Sequence, residues 1–303
     1  MRNIIQNEKT TWIDITKPTK QDVEYLKNQY RFHPMVLDQL IPRVYHPRLE
    51  TKPDYLFIII NYPQYHETDK EVSPRELDII LTKNTIITNH FRPFFVLENL
   101  FKTCQRPEIE GEKYLDKGPG FVLFSILDTF WRDSLLKLNK LSDEIDKIEK
   151  RIFKGVEKEM VIEISHIKTD IMDFWRIIDP QFEIMKSLEK EGPKFFGEEF
   201  SFHFSDMLQT YERVWQALKA HKETILALED TNRSLLTIKT NEIIKILTIF
   251  SLILMPPTLL ASIWGMNVKL PFGQHQSGFW IVGAIMAIVL VTMFIYFRKK
   301  KWL

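Results

Sequence analysis

The alternation of apolar and polar positions divides the chain into four stretches. In the first, Thr11–Thr16, Tyr55–Tyr62, Leu77–Lys83 and Thr85–His90 are short β-branched runs bounded by Pro, Asp and Asn, and they predict strands. Thr19–Tyr30 and Pro93–Phe101 have helical character, so a sheet flanked by helices is expected, ending at the punctuation of Asp116–Gly120. In the second stretch the period changes. Leu135, Leu138, Leu141 or Ser142, Ile145, Ile148 and Ile152 recur every three or four residues, which predicts an amphipathic helix broken near Gly155 and a second helix to about Ile178. The charge run Asp143–Arg151 reads either as a solvated face or as a gatherer of cations.

The third stretch is defined by what it lacks. Between Gly197 and Pro256 there is no Gly and no Pro, and Leu208, Tyr211, Trp215, Leu218, Ile225 and Leu228 fall at near-heptad spacing. One helix over these 58 residues would be roughly 87 Å long at about 1.5 Å per residue. That exceeds any bilayer, so the expected object is a stalk helix whose last third spans a membrane and whose seam is free for partners. A break at Asp230-Thr231-Asn232, where helix propensity dips, is the alternative. In the fourth stretch Ile246–Trp264 and Phe279–Phe297 carry no charge, and each can cross a hydrocarbon layer that needs about 20 residues.

The expected organisation is therefore a cytoplasmic α/β domain over 1–118 and a cytoplasmic helical hairpin region over 119–197. A stalk helix over 198–265 becomes the first span at about 246–265. An outer loop at 266–278, a second span at 279–297 and a basic tail at 298–303 complete the chain.

Charge sharpens this division. The net charge is +1, yet no Asp or Glu follows Glu242: the first 242 residues hold 35 bases against 40 acids, −5, and the remainder carries six bases, +6. Lys239 and Lys245 before the first span, with Arg298-Lys299-Lys300-Lys301 after the second, place both flanks and both termini in the cytoplasm of a multi-pass cell-membrane protein. The link from Val268 to Gly278 then faces outside. The single Cys104 excludes an internal disulfide framework and a Cys-rich zinc cluster. The N-terminus has no apolar core of signal-peptide length. No Gly-rich phosphate loop, Walker motif or paired Ser/His or Cys/His signature points to an enzyme. No cofactor and no nucleic-acid partner is expected.

Inside the first span, steps of three and four from Asn241 give Asn241, Ile244, Thr248, Ser251, Met255, Thr258, Ser262 and Gly265, one face that is small or polar at six of eight positions. Lipid has no use for such a stripe. It serves either close packing of membrane helices or, with several copies around an axis, the wall of a pore. Pro256 and Pro257 cannot donate to the carbonyls of Leu252 and Ile253, and carbonyls freed at membrane depth need polar neighbours or water. Gly265-Met266-Asn267 falls at the outer end, where copies of Asn267 would form a ring of neutral amide oxygens. Mg²⁺ keeps several of its waters, and such a ring can hold those waters without stripping them. With no carboxylate after Glu242, a side-chain carboxylate ring within the spans is excluded.

Gly265-Met266-Asn267 at the end of the first of two C-terminal spans, Lys239–Thr248 before it, Met255–Asn267 itself and the closing Tyr296–Leu303 together resemble the CorA family of magnesium and divalent metal ion transporters. The resemblance implies a funnel-shaped homopentamer with an α/β cytoplasmic domain, a long stalk helix continuing into the pore-lining span and a second span outside it. It also implies passive, gated uptake of Mg²⁺, often also Co²⁺ or Ni²⁺, closed when cytoplasmic Mg²⁺ occupies acidic sites between subunits. By matching position, Gly265, Met266 and Asn267 belong to the outer ion site and Asn241 to an inner polar ring. Ile244, Leu247 and Met255 line an apolar constriction able to close by dewetting; Thr248, Ser251, Thr258 and Ser262 complete the wall. Asp206 resembles a regulatory carboxylate; alternatively it complements the dipole in the first turn of the stalk helix. Two residues depart from the family pattern. Lys269 and no acid follows the motif, and Trp264 stands where a tyrosine is common.

Two other readings compete. A zinc-transporting member of the same family would favour His and Cys, but the eight histidines show no ligand-spaced pair. A membrane-anchored coiled-coil scaffold or receptor would need neither the stripe nor the motif.

Overall fold

The computed structural model describes residues 1–41, 46–66, 71–105, 112–266, 277–300 and 302. Two units follow one another along the chain, Met1–Glu229 and Asp230–Leu303.

The first unit is built on a six-stranded sheet. Its strands are β1 (Arg2–Gln6), β2 (Thr11–Thr16), β3 (Arg48–Thr51), β4 (Leu56–His66), β5 (Glu71–Leu81) and β6 (Thr85–His90), in the order β1-β2-β6-β5-β4-β3. Only β2 and β6 are parallel, with Ile13 opposite Ile87; the other neighbours are antiparallel. Leu56–Tyr62 of β4 is buried without interruption, the signature of a strand covered on both faces. On one face Ile13, Ile15, Phe57, Ile59, Ile80 and Ile87 form a core with Leu26 of α1 (Lys20–Gln29) and Val36 and Leu37 of α2 (Pro34–Asp38). Thr19 starts α1 through a capping box with Asp22. On the other face Trp12 meets Phe101 of α3 (Phe95–Cys104) edge-on, ring centroids 4.9 Å apart.

A short helix, α4 (Glu112–Leu115), leads to α5 (Pro119–Ile152), whose start combines Pro119 at the first turn with Gly118 at φ 93°, a conformation open to Gly at no steric cost. Gly155, at φ 90°, separates α5 from α6 (Glu157–Ile178). Leu138, Ile145, Ile148 and Ile152 are buried as their spacing predicts, while Asp143, Glu144, Asp146, Lys147, Glu149 and Lys150 are exposed. The charge run thus lies on the exposed face of α5. A third helix follows, α7 (Phe182–Phe196), which runs through Gly192 and Pro193.

Helix α8 (Ser201–Trp264) is a single 64-residue helix that continues through Asp230-Thr231-Asn232 and through Pro256 and Pro257. The seam expected to await partners is instead used within the chain. Tyr211 packs edge-on against Trp131 of α5 (centroids 4.8 Å) and donates its hydroxyl to the carbonyl of Ile178; Trp215 bonds Asp179 at 2.9 Å. Tyr211, Leu218, Ile225 and Leu228 are accordingly buried. The second unit consists of the remainder of α8, α9 (Gly278–Lys299) and the residues beyond.

Candidate functional site

Among the described residues, two helices, α8 and α9, are long and apolar enough to cross a membrane. Their burial patterns locate the candidate site. On the span portion of α8 the covered or half-covered residues are Ile249, Ile253, Pro256, Pro257, Leu260, Ile263 and Trp264, which recur at the 3.5-residue spacing of a helix seam. On α9 they are Gly278, Ile281, Val282, Met286, Val289, Leu290, Met293 and Phe297, with the same period. Two helices covering one another along one seam produce this pattern.

At 100° per residue, the stripe Asn241, Ile244, Thr248, Ser251, Met255, Thr258, Ser262 and Gly265 lies about opposite that seam. All eight are exposed, as is Leu247 beside them. The stripe is therefore not what packs α8 onto α9. Three of its four hydroxyls are satisfied by their own helix: Thr248 donates to the carbonyl of Ile244 at 2.8 Å, Ser251 to Leu247 at 3.0 Å and Thr258 to Leu254 at 2.8 Å. The Leu254 bond lies one residue beyond the two carbonyls that the prolines release, and the helix continues past all three.

At the C-terminal end of α8 the Gly265 N–H still bonds Ala261 at 2.9 Å, and the Met266 N–H bonds Ile263 at 3.2 Å, a tightened last turn. Gly265 is absent from the positive-φ glycines, which are Gly118, Gly155 and Gly197, so it closes the helix without a left-handed cap. Met266 is exposed. Asn267 and Lys269 lie outside the described residues.

Asp206 is the sixth residue of α8, and the first turn of that helix holds no acid. Because dipole effects fall off within the first turn, the alternative reading of Asp206 as a dipole partner fails. Its half-buried surroundings are charged. Arg132 binds Asp128 at 2.6 Å, and that bond, with a smaller contribution from Asp206, holds its guanidinium more basic than usual. Thr210 lies 3.1 Å from the Asp206 carbonyl and 3.4 Å from Asp128 Oδ1. His203, ringed by Phe121, Phe124, Phe200 and Phe202, has its pKa lowered by burial and by Lys117, with Asp206 opposing. Sequence reasoning passed over Asp128 and Arg132; their four-residue spacing on a predicted helix was the available signal. Among the described residues, no group of three or more His, Cys, Asp or Glu side chains could hold a metal.

Comparison with known proteins matches this arrangement from end to end. A family model described as CorA-like Mg²⁺ transporter protein matches residues 7–299. The cobalt/magnesium transport protein CorA of Thermotoga maritima is 29% identical over 297 residues, spanning 97% of this chain and 83% of that protein. The complete structure of the CorA magnesium transporter from Methanocaldococcus jannaschii has a TM-score of 0.83 at 24% identity, covering 99% of this chain and 93% of that one. The cytoplasmic domain of ZntB from Vibrio parahaemolyticus shares the fold at a TM-score of 0.61 and 10% identity, over 75% of this chain and 88% of its own. With an α/β domain, a long helix and a second apolar helix in the order of the full-length archaeal structure, the chain belongs to the family of CorA-like Mg²⁺ transporter proteins.

Proposed function

We propose that the chain is one subunit of a homopentameric divalent-cation channel that admits Mg²⁺, and also Co²⁺ or Ni²⁺, down the electrochemical gradient. The observation that carries this reading is the stripe: polar, exposed and opposite the seam toward α9. A polar face at membrane depth requires company, and a second span already occupies the other side. Several copies of α8 around an axis bury the stripes together and enclose water. Relatives named for magnesium and cobalt transport support the choice of ion.

In this reading 1–118 and 119–197 are cytoplasmic and both termini lie inside. The membrane holds about 246–265 and 279–297, and 266–278 faces out. Asn267 with Gly265 and Met266 receives the hydrated ion; Ile244, Leu247 and Met255 form the dewetting gate, and Asn241 the inner ring. Asp206 supplies one carboxylate of a regulatory Mg²⁺ site completed by a neighbouring subunit, so that cytoplasmic Mg²⁺ closes the path. A divalent ion gains about 4.6 kcal/mol per 100 mV, inside negative, so no nucleotide is needed.

The test is Mg²⁺ entry into proteoliposomes carrying an internal indicator, under an imposed inside-negative potential, for the wild type and for Asn267→Ala. Flux in the wild type that is lost in the variant supports the neutral-amide mouth. No flux through folded, oligomeric wild type would mean that the stripe is a packing surface.

A further inference from the structure

The far end of α9 carries a cluster of cations and aromatic rings. Arg298 and Lys299 lie in the last turn of α9, Lys300 caps it and Lys301 follows in sequence. The chain then turns back on itself. The Lys300 N–H bonds Tyr296 at 3.1 Å and the Trp302 N–H bonds Phe297 at 3.1 Å. The Trp302 ring lies over Phe297 at 6.0 Å and 28°, and Tyr296 meets Phe297 at 5.5 Å and 76°. The result is an aromatic cluster on either side in sequence of three exposed cations, Arg298, Lys299 and Lys300.

Some cations of the first unit find a carboxylate. There Arg151 bonds Glu163 and Lys168 bonds Glu229, each at 2.6 Å. No carboxylate side chain follows Glu242. Among the described residues, Lys245, Arg298, Lys299 and Lys300 make no ion pair with another side chain of this chain. The opposite end of α9 supplies an internal control, since Phe279 and Trp280 are exposed aromatics there, with no basic residue between Ser277 and Tyr296.

We propose that this cluster is a binding site for anionic phospholipid headgroups in the leaflet that it faces. Arg298, Lys299 and Lys300 take the phosphate, and Trp302 and Tyr296 lie at the ester level beneath it. The inference rests on the reading of α8 and α9 as membrane spans and adds the class of lipid that they bind. It also asks more than orientation by positive charge, which requires no preference among lipids once the chain is inserted.

The experiment uses the full chain reconstituted into mixed phosphatidylcholine and phosphatidylglycerol vesicles in which one lipid or the other is brominated. Quenching assigned to Trp302, by difference from Trp302→Phe, should favour brominated phosphatidylglycerol, and that assigned to Trp280, by difference from Trp280→Phe, should favour neither. The preference at Trp302 should fall by about fivefold for each cation neutralised in Lys299→Gln and Lys300→Gln. It should weaken with added salt and survive in Arg298→Lys. Equal quenching by both lipids at Trp302, a preference unchanged in Arg298→Gln/Lys299→Gln/Lys300→Gln, or displacement by low millimolar inorganic phosphate would overturn the proposal. If neither brominated lipid quenches and alkaline carbonate extracts the protein, the membrane reading itself fails. Loss of Mg²⁺ flux alone leaves the lipid site standing.

Discussion

The two portions of α8 are made of similar side chains put to opposite uses. From Ser201 to Glu229 the helix hides Phe204, Met207, Tyr211, Val214, Leu218, Ile225 and Leu228, none more than 7% exposed, against its own unit. From Asp230 to Trp264 it displays Ile243, Leu247, Phe250, Leu254 and Met255, each more than half exposed, and turns a row of hydroxyls and an amide to one side. In water such a surface would drive association. The lesson is that the two portions are written for different solvents, and that polarity marks the outside of one and, in the proposed channel, the partner-facing side of the other.

The largest way to break that comparison is in the first portion. Trp131→Ala, which removes the buried ring against Tyr211, should cost about 3–5 kcal/mol, read as a lower denaturation midpoint of the detergent-solubilised chain. Leu254→Ala should stay within about 0.5 kcal/mol in a single chain; a loss rivalling that of Trp131 would place a second copy on this face. Next comes the solvent itself. Leu254→Asp should disfavour insertion by roughly 3 kcal/mol, measured as the inserted fraction in microsomes, whereas Ala220→Asp on the exposed side of the first portion should insert normally.

A smaller effect is expected from Tyr211→Phe, which leaves the buried Ile178 carbonyl without its donor. About 1–2 kcal/mol should be lost in urea unfolding. The gentlest is a slope rather than a step. Burial pushes the Asp78 carboxyl up to about 8, against a usual 3.8, despite the 2.8 Å bond from Asn89. The folded state then holds a proton that the unfolded chain releases, so this residue's contribution declines as pH rises from about 4 to about 8. Melting curves across that interval should show the decline in the wild type and its absence in Asp78→Asn.

Much of this architecture was legible. β2 and β6 coincide with the predicted runs because both are buried central strands of β-branched residues. β1 and β3 were not read, being short edge strands whose residues are mostly exposed or half-buried. β4 and β5 run further than expected because Pro63 and Pro74, which look like terminators, stand opposite one another across the ladder. Likewise Gly192-Pro193 concealed α7, where the proline sits in the last turn. The stripe was visible from spacing alone. That it lies opposite the seam, and that the stalk seam is consumed inside the chain, depended on which neighbours fold against each face, which one-dimensional periodicity does not carry.

The hydroxyl bonds along α8 have a further consequence. Thr248, Ser251 and Thr258 have each committed their one proton to a carbonyl of their own helix. What they turn outward is therefore lone pairs alone, so these three positions are polar with a sign. In the proposed pore, water bound to a cation, its hydrogens directed away from the metal, finds an acceptor at each of these three positions; a chloride ion passing the same threonines and serine finds no hydrogen offered.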